Sequence, residues 1–139
     1  MGSGEDRSVL SRLHQAFNER DAETAHGLLA TDIVWHVPGN HPMAGVHRGR
    51  HVWDASVAPF WSTPARVEEH AVLQRPDHAH EAVLLDLVHD LGDGELRLRT
   101  LEVARITNGR IVEWWEFPED QAEVDRLTTA LAAGEAGSE

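Results

Sequence analysis

The sequence predicts an α+β domain in which helices come first and a curved antiparallel sheet wraps around them. Three observations predict it. Apolar residues recur at helical spacing in much of the first half, and they alternate in strand fashion from about residue 66 to residue 117. The dipeptide Asn108-Gly109 separates two alternating segments, which is a strong signal for a type I′ hairpin. Segregated helices and antiparallel strands are typical of the α+β class.

Two helices are predicted near the N-terminus. Ser8 is a suitable N-cap for the first, whose apolar residues run to Phe17. A break follows at residues 18–21, and Asp21 can cap a second, shorter helix that reaches Leu29. Both helices present one apolar face, so we expect them to pack against the sheet.

A strand, a loop and a third helix complete the first half. Residues 33–37 form a short β-type run, and residues 38–49 are rich in Pro and Gly and therefore predict a loop. The third helix is predicted from about Arg50, and Pro59 is expected to bend it or end it.

The second half predicts a four-stranded meander. Its strands are expected at residues 66–74, 79–91, 95–107 and 110–117, with turn-forming residues between them. After Pro118, apolar residues at helical spacing predict a closing helix.

The chain is predicted to hold one domain. With 139 residues, of which 41% are hydrophobic, it is long enough for a single core. We expect that domain at residues 8–133, with disordered tails at 1–7 and 134–139. No segment approaches the 18 apolar residues of a membrane span, and the N-terminus lacks the pattern of a signal peptide, so the expected location is the cytoplasm.

Composition excludes several kinds of chemistry. Twelve arginines face twenty-four Asp and Glu, for a net charge of −12, which disfavours nucleic acid and anionic lipid as partners. The sequence contains no Cys, Lys or Tyr, which removes thiolate, Schiff-base and phenol chemistry. Carboxylates, His, Arg and the Trp N–H group remain as candidates.

Four segments carry a family resemblance: residues 16–21 with 28–32, residues 35–39, residues 45–50 and residues 108–117. In this order and spacing, over about residues 8–131, the chain resembles the SnoaL-like branch of the nuclear-transport-factor-2-like superfamily. The resemblance implies a cone-shaped barrel, often dimeric, with a pocket between sheet and helices. Its members include polyketide cyclases, ketosteroid isomerases, limonene epoxide hydrolases and proteins without catalysis, so the fold alone does not give the function.

Two acidic residues are candidate catalytic groups. By resemblance, Trp114 and Glu116 match the inward Trp-x-Asp pair of limonene epoxide hydrolases, whose Asp is a general base. Glu102 lies where ketosteroid isomerases carry an oxyanion-hole Asp. Alternation would turn Glu102, Leu98 and Thr100 to the same face. The alternative is that both Glu residues are solvated. The chain departs from the isomerases in lacking Tyr and in having Val37 where they have their base.

Enclosing two carboxyl groups together would raise the pKa of one and leave the other ionised. We therefore expect Glu116 to act as the base and Glu102 or a loop histidine to act as the acid. His36 and His41 are the histidine candidates, because they flank the predicted cavity mouth; the alternative is that they are solvent-exposed. A catalytic carboxylate base also predicts that activity falls on the acid side of neutrality.

Histidine pairs such as His47 with His51, or His78 with His80, lack a third ligand, so no metal site is predicted.

Aromatic residues are expected to form the cavity wall and an interface. The wall is predicted from four tryptophans, at positions 35, 53, 61 and 114, together with Val37 and Phe17. Core packing is the alternative for Trp53 and Trp61. On the opposite face of the sheet, Trp115 and Phe117 predict a dimer contact, with the arginines at 97, 99 and 105 as a solvated rim.

The sequence thus predicts a small enzyme that needs no cofactor and applies acid–base chemistry to a hydrophobic, polyketide-like metabolite. Cyclisation, isomerisation, dehydration and epoxide opening all remain open. The alternative is a non-catalytic module that binds a hydrophobic ligand or serves dimerisation.

Overall fold

The fold combines helices with one six-stranded sheet. The computed structural model describes residues 7–61, 63–77 and 79–133, so the predicted tails, apart from Arg7, lie outside the described residues. The helices are α1 (Val9–Glu19), α2 (Ala22–Gly27), α3 (His51–Trp61) and α4 (Gln121–Ala132). The strands are β1 (Leu29–Val37), β2 (Gly45–Arg48), β3 (Ala65–Gln74), β4 (His80–Asp90), β5 (Glu95–Thr107) and β6 (Arg110–Pro118).

The first two helices begin at the caps that the sequence predicts. The Ser8 hydroxyl accepts a hydrogen bond from the Ser11 amide at 2.8 Å, and the Asp21 carboxylate accepts one from the Thr24 amide at 3.1 Å. The second helix ends earlier than predicted, because Leu29 is already the first residue of β1. Leu29 is fully buried there and pairs with Ile111 of β6.

The sheet has the order β2-β1-β6-β5-β4-β3. β1 and β6 pair in parallel, and the other neighbours are antiparallel. All four strands of the predicted meander are present within a residue or two of their expected bounds. The turn between the last two has φ values of 54° at Asn108 and 75° at Gly109, as a type I′ turn requires.

Two expectations for the first half need correction. The segment predicted as a loop contains β2, which pairs with β1 through Trp35 opposite His47, so backbone pairing outweighs the Gly and Pro signals around it. The third helix continues to Trp61, two residues beyond Pro59.

The core lies between the inner face of the sheet and the helices. α1 contributes Leu10 and Leu13, which are almost completely buried. Its N-terminus is fixed to the sheet by the buried carboxylate of Glu81 on β4, which accepts hydrogen bonds from the amides of Val9 at 2.9 Å and Leu10 at 3.0 Å. An anion at this end of a helix is favoured by the helix dipole. α1 is thereby held across the sheet at the edge of the cavity described next.

Candidate active site

A cavity of about 450 Å³ lies between the inner face of the sheet and the helices. That volume suits a small organic molecule. Most of its wall is apolar, and its polar side chains are few. The polar lining consists of His14, His41, Ser56, Thr100, Glu102, Glu116 and Thr128.

Strand alternation brings most of the predicted site residues into this wall. Leu98, Thr100 and Glu102 follow one another at every second position of β5 and all line the cavity. The remaining predicted residues that line it are Phe17, Trp35, Val37, His41, Trp114 and Glu116. The two glutamates are cross-strand partners, because Glu102 on β5 is paired with Glu116 on β6.

His36 is a correction to the sequence-based expectation. It lies on the outer face of the sheet, where its ring stacks on Trp115 at 5.2 Å between ring centroids. Its Nε2 is 2.7 Å from the Glu113 carboxylate. The reason is strand alternation: Trp35 and Val37 point into the cavity, so the residue between them points away. His36 cannot partner Glu116 from there.

Trp61 is a second correction. It packs against Phe17 and Trp53, with ring centroids 6.2 Å and 5.4 Å apart, and is absent from the cavity wall. The core-packing alternative therefore describes Trp61 better. Trp53, next to it, does line the cavity.

His41 lines the cavity, but both of its ring nitrogens contact the backbone. Nε2 is 3.1 Å from the carbonyl oxygen of Pro38, and Nδ1 accepts a hydrogen bond from the Met43 amide at 3.2 Å. Both ring nitrogens of His41 are thus engaged by the loop backbone, so the ring is held as part of the loop at the cavity mouth.

Trp35 and Trp114 form a stacked pair in the wall. Their ring centroids are 4.7 Å apart and their planes differ by 8°. β1 and β6 pair these two residues in register, so the stack follows from the parallel pairing of the strands. The pair offers a flat, rigid surface to a ligand.

His14 is the site residue that the sequence-based reading missed. It projects from α1, is 6% exposed, and lies with its Nε2 2.6 Å from Oε1 of Glu102. Its Nδ1 is 2.6 Å from Oε2 of Glu69 on β3. One signal could have found it: His14 lies four residues after Leu10 and three before Phe17, on the apolar face of the helix.

The two carboxylates keep His14 positively charged. Burial by itself lowers the pKa of the imidazole, but the charge and hydrogen bond of Glu102, together with those of Glu69, outweigh it and raise the pKa to about 9. The same contact lowers the pKa of Glu69, since the imidazolium donates to its carboxylate. At neutral pH the ring is therefore a cation between two anions.

Glu116 has the opposite character. Burial and the negative charge of Glu102 raise its pKa to about 8, although the positive charge of His14 partly opposes this. The Glu116 carboxyl group thus holds a proton at neutral pH. The cavity brings a neutral acid next to a carboxylate that is bonded to an imidazolium, which is the arrangement needed to donate one proton and accept another.

Asp86 and His89 on β4 stay outside this site. Asp86 is buried on the outer face under Arg99, whose guanidinium is 2.9 Å away, and this hydrogen bond together with His70 lowers the pKa of the carboxyl group to about 2. His89 is buried against Phe60, and this burial lowers the pKa of its imidazole ring. No group of three or more metal-binding side chains occurs within residues 7–61, 63–77 and 79–133.

The chain belongs to a family of known fold: residues 10–114 match the SnoaL-like domain. The family and the fold class predicted from the sequence are therefore confirmed. No curated protein sequence matches the chain. In the part of the chain that the structure describes, no helix has the length and apolar character needed to cross a bilayer.

Solved structures share this fold at low sequence identity. Bal32a, from a soil-derived mobile gene cassette, is 23% identical, with 89% of this chain and 96% of that chain covered and a TM-score of 0.77. IdmH from Streptomyces antibioticus, a proposed polyketide cyclase, is 20% identical over 91% and 96%, with a TM-score of 0.69. SalBIII, an epoxide hydrolase/cyclase-like enzyme, is 15% identical over 79% and 87%, with a TM-score of 0.65.

Proposed function

We propose that this protein is an enzyme that applies general acid–base catalysis to a neutral, hydrophobic metabolite bearing a carbonyl group or an epoxide. The observation that carries the proposal is the pair of glutamates at paired strand positions in the wall of one apolar cavity, where Glu102 is bonded to His14 and the pKa of Glu116 is raised by burial and by the charge of Glu102. Enclosure in an apolar wall is what lets two chemically identical side chains take opposite roles.

Glu116 is the proton donor and Glu102 the proton acceptor in this proposal. The assignment is the reverse of the sequence-based expectation, because the structure gives the raised pKa to Glu116. Glu102 removes a proton from a carbon or hydroxyl of the substrate, while Glu116 gives its proton to the oxygen where negative charge develops. His14 holds Glu102 in place through the hydrogen bond to Oε1.

Protons balance once the enzyme has returned to its starting state. In a cyclisation or an isomerisation Glu102 gains one proton and Glu116 loses one, so the two groups end with exchanged protonation states. In this proposal, transfer of one proton from Glu102 back to Glu116, its paired residue on the neighbouring strand, directly or through solvent, restores the starting state. No cofactor is required for such a cycle.

Ring formation is the reaction we favour among the alternatives. IdmH is a proposed polyketide cyclase, and SalBIII is associated with pyran ring formation in the polyether salinomycin. The stacked Trp35 and Trp114 suit a flat or conjugated substrate. The second candidate reaction is epoxide opening by water. It differs from ring formation in that the product would contain oxygen from labelled water.

The pH dependence of turnover tests this proposal. With a conjugated polyketide-like ketone as substrate, the rate is expected to fall as the pH rises through about 8, because Glu116 then loses the proton that it must donate. The measurement is kcat from about pH 5 to about pH 10, with the exposed residue variant Glu119→Gln as the matched control.

A rate that stays flat or rises through that alkaline range would contradict the role of Glu116 as the acid. Tight binding of hydrophobic ligands with no turnover at any pH would favour the alternative of a non-catalytic binding module. The control variant is expected to follow the wild-type profile, since Glu119 lies outside the cavity wall.

We also propose that the chain forms a dimer in which the outer face of the sheet contacts a second copy of the chain. Phe117 is 55% exposed there, and its cross-strand partner Leu101 is 37% exposed. The next pair on this face of the sheet is Val103 with Trp115. Exposed apolar side chains that form a continuous patch on a sheet are typical of an interface.

Phe117→Glu is expected to convert such a dimer to a monomer, because two copies of a new charge would face each other or apolar neighbours at the contact. Sedimentation velocity of the variant and the wild-type protein measures this. A wild-type protein that sediments as a monomer at all concentrations would contradict the dimer.

A further inference from the structure

Glu69 contacts the site from outside the cavity. It lies on β3 and is not part of the cavity wall, yet its carboxylate bonds Nδ1 of His14 on the side of the ring opposite Glu102. The two contacts are equally short, at 2.6 Å each. The Glu69 side chain is 27% exposed, whereas those of His14 and Glu102 are 7% and 10% exposed.

Hydrogen-bond chemistry gives Glu69 a specific role. A carboxylate can only accept, so a ring bonded to carboxylates at both nitrogens carries a proton at both and is a cation. Glu102 alone requires only the proton at Nε2, which a neutral imidazole also provides. Glu69 therefore holds the second proton, at Nδ1, and adds to the positive charge that Glu102 also favours.

The local structure holds Glu69 in this position. The Ser11 hydroxyl donates a hydrogen bond to Oε1 of Glu69 at 3.0 Å, which leaves Oε2 for His14. The pairing of β3 with β4 is irregular between Glu69 and Ala71. Regular strand alternation before this shift turns Glu69 toward α1, on the same face as Val67, and turns its neighbour His70 to the outer face, 2.9 Å from Asp86.

The charged groups around His14 come from four parts of the fold. They are Glu69 on β3, Glu102 on β5, Glu116 on β6 and, near Glu69, Arg7 just before α1. With Glu116 protonated, the His14 ring lies between the carboxylates of Glu69 and Glu102, with Arg7 nearby on the Glu69 side. Removing Glu69 leaves His14 with a single anionic partner and frees its Nδ1.

We propose that Glu69 is a positioning residue that fixes the positive charge of His14 and, through it, keeps Glu102 ready to accept a proton. Its effect on catalysis rests on the proposed function, whereas its effect on His14 is measurable without any substrate. Glu69 is not part of the cavity wall, so in this proposal it affects catalysis through the imidazole of His14.

The experiment is an NMR titration of the His14 ring in the full chain, with the signal assigned by its loss in His14→Gln. In the wild-type protein His14 is expected to titrate near pH 9. In Glu69→Gln its pKa is expected to fall by about 1 to 3 pH units, because an opposite charge at this distance has been removed. Glu69→Asp keeps the charge and is expected to restore much of the difference.

Glu68→Gln is the matched control. Glu68 is adjacent on the same strand but bonds Arg66 and Arg97 on the outer face, so its loss is expected to leave His14 unchanged. An unchanged titration in Glu69→Gln, or a fall of equal size in both variants, would overturn the proposal. Should Glu69→Gln fail to fold, ¹⁵N shifts of the wild-type ring decide: both nitrogens protonated at pH 8 support it, and a neutral ring contradicts it.

The result separates this inference from the proposed function. A His14 charge that depends on Glu69 in a protein without turnover would support the inference and count against the enzyme. Turnover that falls above about pH 8, together with a His14 pKa that is the same in Glu69→Gln and in the wild-type protein, would support the enzyme and overturn this inference.

Discussion

Glu116→Gln is expected to lower turnover by a factor of about 10² to 10⁴ and, at the same time, to stabilise the protein at neutral pH. The loss of turnover follows because glutamine has no proton to donate. The gain in stability follows from linkage: the pKa of Glu116 is about 8 in the folded protein against 4.5 for an unperturbed group. Folding near neutrality therefore takes up a proton, which reduces stability as the pH rises from the lower value to the higher.

Glutamine has nearly the same shape as glutamate but does not ionise, so the variant does not lose stability through proton uptake on folding. The free energy of unfolding is expected to increase by up to about 3 kcal/mol at pH 7 and to change little at pH 4, where the unfolded chain also holds the proton. Urea unfolding at both pH values measures the difference. A variant that is less stable than the wild-type protein at pH 7 would contradict the buried, protonated state of Glu116. The variant Glu119→Gln again serves as the surface control.

His14→Leu is expected to destabilise the protein by about 3 to 5 kcal/mol, which is a large part of the stability of a domain of this size. The variant removes the cation from between Glu102 and Glu69 and leaves a buried carboxylate without its partner. Breaking such a pair costs more than the pair itself contributes, because the remaining charge stays out of water. Thermal or urea unfolding at pH 7 measures the loss.

The double variant His14→Leu with Glu102→Gln provides the control. It removes the buried charge along with its partner, so part of the lost stability is expected to return. A single variant within about 0.5 kcal/mol of the wild-type protein would show that the triad of Glu69, His14 and Glu102 is not the buried ionic cluster described above. Equal stability of the single and double variants would lead to the same conclusion.

The part of the site that lies on regular strands is predictable from the sequence. Alternation alone brings Leu98, Thr100 and Glu102 to one face, and the same rule places Trp114 with Glu116. The same rule separates His36 from Trp35, its neighbour on the predicted strand, so an inward Trp35 implies an outward His36.

The part that depends on packing between elements is not predictable in this way. His14 meets Glu102 only because α1 crosses the sheet at one place, 88 residues earlier in the chain than its partner. Glu69 meets it only because β3 packs beside α1, and no pattern within either segment predicts that contact. The raised pKa of Glu116 depends on how its carboxyl group is enclosed and on the nearby charge of Glu102, so the roles that we propose for the two glutamates differ from those expected from the sequence.

The protonation state of Glu116 is the central claim, and infrared spectroscopy tests it most directly. A protonated carboxyl group gives a C=O stretching band that disappears on ionisation. We expect a band at neutral pH that titrates near pH 8 and is missing in Glu116→Gln. A Glu116 band that has already disappeared by pH 6 would mean that both carboxyl groups are ionised, and the proposed division into acid and base would be wrong.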